Sequence, residues 1–130
     1  MPGSAALPTV QEPALAALNT LMAELERCAA ELTRARARAE MLLEQRATGQ
    51  SWFDIVSAED RPLIVESISD VLGAMATAGH DWRREQAAAL QAEGVSINRI
   101  AAMYGVTRQR ISTLLREAGD VPAPQDAGTD

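Results

Sequence analysis

The sequence predicts an all-α protein on three observations. Strong helix formers, chiefly Ala, Leu, Glu and Arg, fill residues 14–47, and apolar residues recur at helical spacing there and further along the chain. Three short segments near the C-terminus each begin at a residue that caps helices well. The expected order is a flexible N-terminus (1–13), a long coiled-coil-like helix (14–47), an amphipathic helical connector (50–79), a trihelical domain (81–118) and a disordered acidic tail (119–130).

Composition sets the size and class of the protein. The chain has 130 residues, of which 47% are hydrophobic, but it has only two Trp, one Tyr and one Phe, so the core must consist mainly of aliphatic side chains and Ala. This length suffices for one small domain with an appended element. No apolar run approaches about 18 residues, and the layout of a signal peptide is missing. Together with the single cysteine, these features lead us to expect a soluble cytoplasmic protein.

Residues 14–47 show a heptad pattern over four repeats, and Thr48-Gly49 marks the end of the helix. Such a stripe either pairs with a second copy of the chain or folds back on the C-terminal domain. We favour a homodimer through residues 14–47, with Cys28 as a small buried apolar residue. The pattern consists of a first row, Leu18, Leu25, Leu32 and Ala39, and a second row, Leu21, Cys28, Ala35 and Leu42.

The connector contains two predicted helix starts. Ser51 resembles the first residue of a capping box for a short apolar helix. Trp52-Phe53 is either an exposed anchor for a partner or part of the core, and we favour packing in the core. A second helix is expected to start near Ser57–Asp60, with Pro62 in its first turn and an end at Ala78-Gly79. Its apolar face is predicted to contain Ile64, Ile68, Val71, Leu72 and Met75.

The C-terminal region is predicted to contain three short, crossing helices. Asp81 is expected to cap a helix from Trp82 to about Glu93, with Gly94 ending it. Ser96 would cap a second helix that ends at Tyr104, and Thr107 a third that ends near Glu117. Because the connections have only two to four residues, these helices must cross one another.

The string SINRIAAMYGVTRQRISTLL resembles the helix-turn-helix of bacterial repressors, site-specific recombinases and the promoter-reading region of sigma factors. Ala101 is small where the two helices would touch, and Gly105 permits the positive φ that the tight turn needs. Val106 would plug the turn. The apolar faces of the two helices would be formed by Ile100, Tyr104, Ile111 and Leu114.

The resemblance implies binding to the major groove of double-stranded DNA through the helix that starts near Thr107. Arg pairs bidentately with guanine and Gln with adenine, while Ser and Thr allow close approach. Thr107, Arg116 and Arg99 are expected to meet phosphates, and Arg110 either a phosphate or an acid of the chain itself. Base reading is assigned to Arg108, Gln109, Ser112 and Thr113.

The net charge of −6 conceals a polarised chain. Residues 82–117 contain six Arg and three Glu, a net charge of +3, whereas residues 48–81 contain six acids and one Arg, a net charge of −5. The positive excess therefore coincides with the predicted DNA-binding segment, as electrostatic recognition of phosphates requires.

Catalysis finds little support in the sequence. His80 is the single histidine, expected in a connection, so no pair of histidines is available for a metal site, and no glycine-rich phosphate loop is present. We expect no enzyme activity and no cofactor. The leading hypothesis is a dimeric transcriptional regulator. The alternatives are a protein-interaction module docking on RNA polymerase or a sigma factor, and an architectural or phage-type DNA-packaging factor.

Overall fold

The computed structural model describes residues 12–120, and all the regular structure in this range is helical, as the sequence predicted. We number the five helices α1 to α5. None of these helices combines the length and the apolar character needed to cross a membrane. The helices are α1 (Pro13–Ala47), α2 (Trp52–Ser57), α3 (Ile64–Ala92), α4 (Ile97–Tyr104) and α5 (Arg108–Asp120).

The described residues form two compact units, one made of residues 20–78 and the other of residues 12–19 and 79–120. Within the first unit, α1 and the beginning of α3 form an antiparallel hairpin. The Cys28 thiol lies 4.0 Å from the Val71 carbonyl oxygen, whereas Arg38, further along α1, donates to the carbonyl of Asp60, before α3. Residues later in α1 therefore contact residues earlier in the segment that leads into α3, which is the arrangement of two antiparallel helices.

The two rows of the heptad pattern have different environments. Of the second row, Cys28 is 3% and Ala35 9% exposed, because this row packs against α3 in the same chain. Of the first row, Leu25 and Leu32 are each 47% exposed. Cys28 is thus a buried free cysteine, as predicted. The expected contact of the second row with a second copy is replaced by contact within the chain, and pairing through the first row stays a prediction.

The short helix α2 begins as predicted, but its aromatic residues are not buried. The hydroxyl of Ser51 accepts a hydrogen bond from the Asp54 backbone N–H at 3.1 Å, which caps the helix. Trp52 is 52% and Phe53 79% exposed, so the expectation that this pair fills the core was wrong. Ile55 is the one side chain that α2 buries.

Helix α3 begins later than the sequence predicted. It begins at Ile64 rather than near Ser57–Asp60, and carboxylates cap its start: Glu59 accepts from the Ile64 N–H at 3.1 Å and Glu66 from the Leu63 N–H at 2.9 Å. Pro62 precedes the helix instead of lying in its first turn.

The predicted break between two helices at Gly79–Asp81 is absent, since α3 continues to Ala92. Asp81 does not cap a new helix but pairs with Arg84 one turn on, at 3.3 Å, inside α3. A glycine within a helix costs only about 1 kcal/mol relative to alanine, which the flanking turns offset. His80 consequently lies in a helix and not in a connection.

Two predicted terminal segments fall largely outside the described residues. The predicted flexible N-terminus is described only at Glu12 and Pro13, and α1 already begins at Pro13. The predicted tail was taken to start at residue 119, yet α5 continues through Gly119 and Asp120. Residues 121–130 lie beyond the described range.

Candidate nucleic-acid interface

One aliphatic core holds α4, α5 and the last turns of α3 together. Ala87 of α3 is 0% exposed and packs with residues of the two short helices, while Leu90, Val95, Ile97, Tyr104 and Leu115 border the cluster. Four of its members, Ile100, Ala101, Ile111 and Leu114, are those that the sequence assigned to the facing sides of α4 and α5. The core therefore fixes which sides of α4 and α5 remain outside.

The connection between α4 and α5 is a tight turn at Gly105. This residue adopts φ 69° and ψ 34°, the left-handed conformation that glycine accepts most readily, and its N–H donates to the carbonyls of Ala101 and Ala102. The N–H of Val106 also donates to Ala101, at 3.0 Å. The side chain of Val106, which was expected to fill the turn, stays 37% exposed.

The substitution Gly105→Ala should destabilise the protein. No atom would obstruct the new methyl group within 4 Å, so the expected cost of about 1 to 2 kcal/mol comes only from the left-handed backbone. Gly73→Ala is the matched control, because Gly73 lies in the interior of α3 with equally open space, and there alanine should stabilise by about 0.5 to 1 kcal/mol. Urea denaturation of both variants measures the difference, and shifts of equal sign would contradict the assignment.

Both predicted caps are present at the starts of α4 and α5. The Ser96 hydroxyl accepts from the Arg99 N–H at 3.1 Å, and the Thr107 hydroxyl accepts from the Arg110 N–H at 3.0 Å. Each cap satisfies one of the backbone donors that a helix start leaves free. The caps fix the first turn of α5, where Arg108 and Gln109 lie.

The exposed face of α5 is lined by hydrogen-bonding side chains. Arg108, Gln109 and Arg116 are exposed, and Ser112 and Thr113 are half-buried at the floor of the same shallow concavity. Arg116 donates to the Thr113 hydroxyl at 3.4 Å. The structure thus brings together on one surface five of the eight residues named from the sequence, namely Arg108, Gln109, Ser112, Thr113 and Arg116.

The remaining predicted residues lie around this face. Arg110 is exposed at its flank and Thr107 at the helix start, while Arg99 borders a separate hollow with Ser96 and Met103 on α4. Among the side chains that the structure describes in residues 12–119, no acid forms an ion pair with Arg99, Arg108, Arg110 or Arg116. Within that range the internal ion pair considered for Arg110 is not formed.

Polar contacts that the sequence did not reveal connect α3 to the two short helices. His80 Nε2 lies 2.9 Å from a carboxylate oxygen of Glu117 on α5, and the Tyr104 hydroxyl donates to Gln86 at 2.6 Å. Arg83 stacks over the Tyr104 ring with its guanidinium carbon 4.3 Å from the ring centroid. Burial raises the pKa of Tyr104, and the charge of Arg83 acts in the opposite direction. These contacts join residues far apart in the sequence, so no local pattern could have predicted them.

No protein-family model, curated protein or solved structure matches the chain. Its function is therefore argued from the surface of α5 and from physical chemistry.

Proposed function

We propose that the protein binds double-stranded DNA in a sequence-specific manner through a helix-turn-helix formed by α4, Gly105 and α5. The observation that carries this proposal is the concavity on α5, whose five lining residues all carry hydrogen-bonding side chains and include no acid. In a chain with 18 acids and 12 basic residues, a surface of this kind matches the donors and acceptors of base edges and phosphates.

The residue types on α5 suggest which residues contact bases and which contact phosphates. Arg108 and Gln109, in the first turn, are the candidates for bidentate pairing with guanine and adenine, and Ser112 and Thr113 lie one turn further on the same side. Thr107, Arg99, Arg110 and Arg116 would contact phosphates and hold the helix in register. A first-turn placement of the base-reading residues suits a helix whose N-terminal end enters the groove.

Charge favours the use of two such surfaces at once. A net charge of +3 over residues 82–117 supports only weak phosphate binding by one copy, because each neutralised phosphate adds a modest counterion-release contribution. Two copies acting as a transcriptional regulator would present two recognition helices, and their half-sites should lie about 10 base pairs, or a multiple of that, apart.

Selection of bound sequences from a random pool of DNA duplexes by the full chain tests this proposal. We expect enrichment of one motif in repeated or palindromic half-sites, with binding that weakens steeply as salt increases. Recovery of unenriched DNA at a measurable affinity would instead indicate an architectural factor. A chain without DNA affinity even at low salt would overturn the proposal.

One observation favours a second candidate function, docking on a partner protein such as RNA polymerase or a sigma factor. Trp52 and Phe53 are half or more exposed, and exposed aromatic residues are enriched in protein interfaces. Under this hypothesis, Phe53→Ala should abolish capture of the partner, whereas Arg108→Ala should leave capture unchanged. The DNA selection separates the two candidate functions, because docking on a partner protein requires no enriched DNA motif.

A further inference from the structure

The helical hairpin of the first unit has an apolar face whose side chains remain exposed among the described residues 12–120. On α1, Met22 is 59% exposed and Leu25 and Leu32 are each 47% exposed. On α3, Leu72 is 65% and Val65 71% exposed, with Ile68 at 39%. These residues recur at offsets of three and seven on α1 and of three, four and seven on α3, so each set forms one stripe.

Helical geometry places both stripes on the same side of the hairpin. At about 100° per residue, Leu32 and Leu25 lie about 40° and 60° around α1 from Cys28, which faces α3. In the same rotational sense, Ile68 and Leu72 lie about 60° and 100° around α3 from Val71. Because the helices face each other and run antiparallel, equal rotations turn both stripes to one face. The stripe on α1 from Met22 to Leu32 is about 15 Å long.

The opposite side of the hairpin is polar. Rotation in the other sense from Cys28 leads to Glu24 and Glu31, which pair with Arg27 and Arg34 on the same helix. On α3 it leads to Asp70. A contiguous apolar patch bordered by polar residues marks an interaction site in soluble proteins, so one side of the hairpin is suited to contact and the other to solvent.

Charge beside the apolar face indicates the occupant. Arg36 pairs with Glu40 on α1 at 3.6 Å, so these two charges next to the stripe cancel within the chain. A two-fold axis brings each surface against itself, which a neutral apolar face tolerates and a face of one charge sign does not. Glu31 and Arg36 each have an ion-pair partner within α1, so an ion pair between copies is not needed at these residues.

We propose that a second copy of the chain docks on this face, so that α1 and α3 of both copies form a four-helix interface. The proposal differs from a two-stranded coiled coil in that Ile68 and Leu72 contribute as much as Leu25 and Leu32. It also accounts for both heptad rows: the second row contacts α3 of its own chain and the first row contacts the partner. The interface itself does not depend on the proposed DNA-binding function. Only its purpose, the doubling of the recognition helix, rests on that function.

The mass of the full chain in solution, measured without DNA by light scattering after size exclusion, tests the interface. The wild type should show twice the monomer mass of 13.9 kDa. Leu72→Glu and Leu25→Glu should each raise the dimer dissociation constant by about a hundredfold or more, because a charge would be buried without a partner. Both side chains are about half exposed or more in the single chain, so the variants should keep the helicity of the wild type by circular dichroism. If Leu72→Glu unfolds the protein, Leu72→Gln is measured in its place.

Met41→Glu is the matched control, since Met41 is 55% exposed on α1 and points about 140° away from Cys28 in the opposite sense. It should remain a dimer. A wild-type chain that stays monomeric at high micromolar concentration, or a dimer indifferent to Leu72→Glu, overturns the four-helix interface; the second result would indicate pairing through α1 alone. The variant Arg108→Ala/Gln109→Ala should still dimerise, so failure of DNA binding and failure of the interface are read separately.

Discussion

Replacing Arg108 and Gln109 together by alanine should weaken binding to the selected DNA site by about thirtyfold or more. One good bidentate contact to a base contributes about 1 to 3 kcal/mol of discrimination, so the loss of two amounts to about 2 kcal/mol at the least. Both side chains are exposed and support no core contact, so the fold should be unaffected. Fluorescence anisotropy with the selected duplex and a scrambled duplex measures the change.

The scrambled duplex separates base reading from phosphate binding. Arg108→Ala/Gln109→Ala should reduce affinity for the selected site far more than for the scrambled one. Arg110→Ala should weaken both about equally and reduce the slope of affinity against salt by about one counterion. The matched control is Arg34→Ala/Gln91→Ala, which removes the same charge and amide at exposed positions on α1 and α3. An equal loss in the control would show that net charge, not the α5 surface, determines binding.

Truncating Ile111 to alanine should cost about 2 to 5 kcal/mol of folding free energy. Ile111 is 0% exposed and joins α5 to a cluster of only five buried residues, so the cavity would affect much of that core. Small domains have roughly 5 to 15 kcal/mol of stability in total. We therefore expect loss of a fixed α5, and with it loss of DNA binding, near physiological temperature.

Tryptophan fluorescence during urea unfolding can follow this unit by itself. Trp82 lies in the unit that contains Ile111 and Trp52 in the other, so a Trp52→Phe background leaves a single local reporter. Met103→Ala is the control, because it removes the same number of heavy atoms from a side chain that is 57% exposed. Its effect should stay within about 0.5 kcal/mol. Similar losses for both variants would mean that Ile111 is not a core residue.

Among the predicted features, those that depend on neighbouring residues agree best with the structure. Ser51, Ser96 and Thr107 cap the helices that follow them, and Gly105 adopts the left-handed conformation. Ile100, Ala101, Ile111 and Leu114 face one core, which left the five lining residues of α5 outside. A cap or a tight turn depends on the conformations of a few adjacent residues, but this local signal is not sufficient in every case, since Asp81 was also predicted as a cap and lies inside α3.

Features that depend on distant residues were predicted less well. The sequence marks two equivalent heptad rows, yet only the second is covered, since its contact is with Val71, 43 residues after Cys28. Trp52 and Phe53 stay exposed, although their size suggested that they would fill the core.

The sequence by itself therefore determined an all-α chain, the caps at Ser51, Ser96 and Thr107, the Gly105 turn and the polar face of α5, because each follows from local stereochemistry and helical period. Only the tertiary structure decided that α3 runs unbroken through Gly79, that His80 meets Glu117 and that the hairpin has one uncovered apolar face. The physical reason is that a side chain is buried only when a second surface packs on it. The sequence of a helix shows which side is apolar, but the neighbouring element determines whether that side is covered.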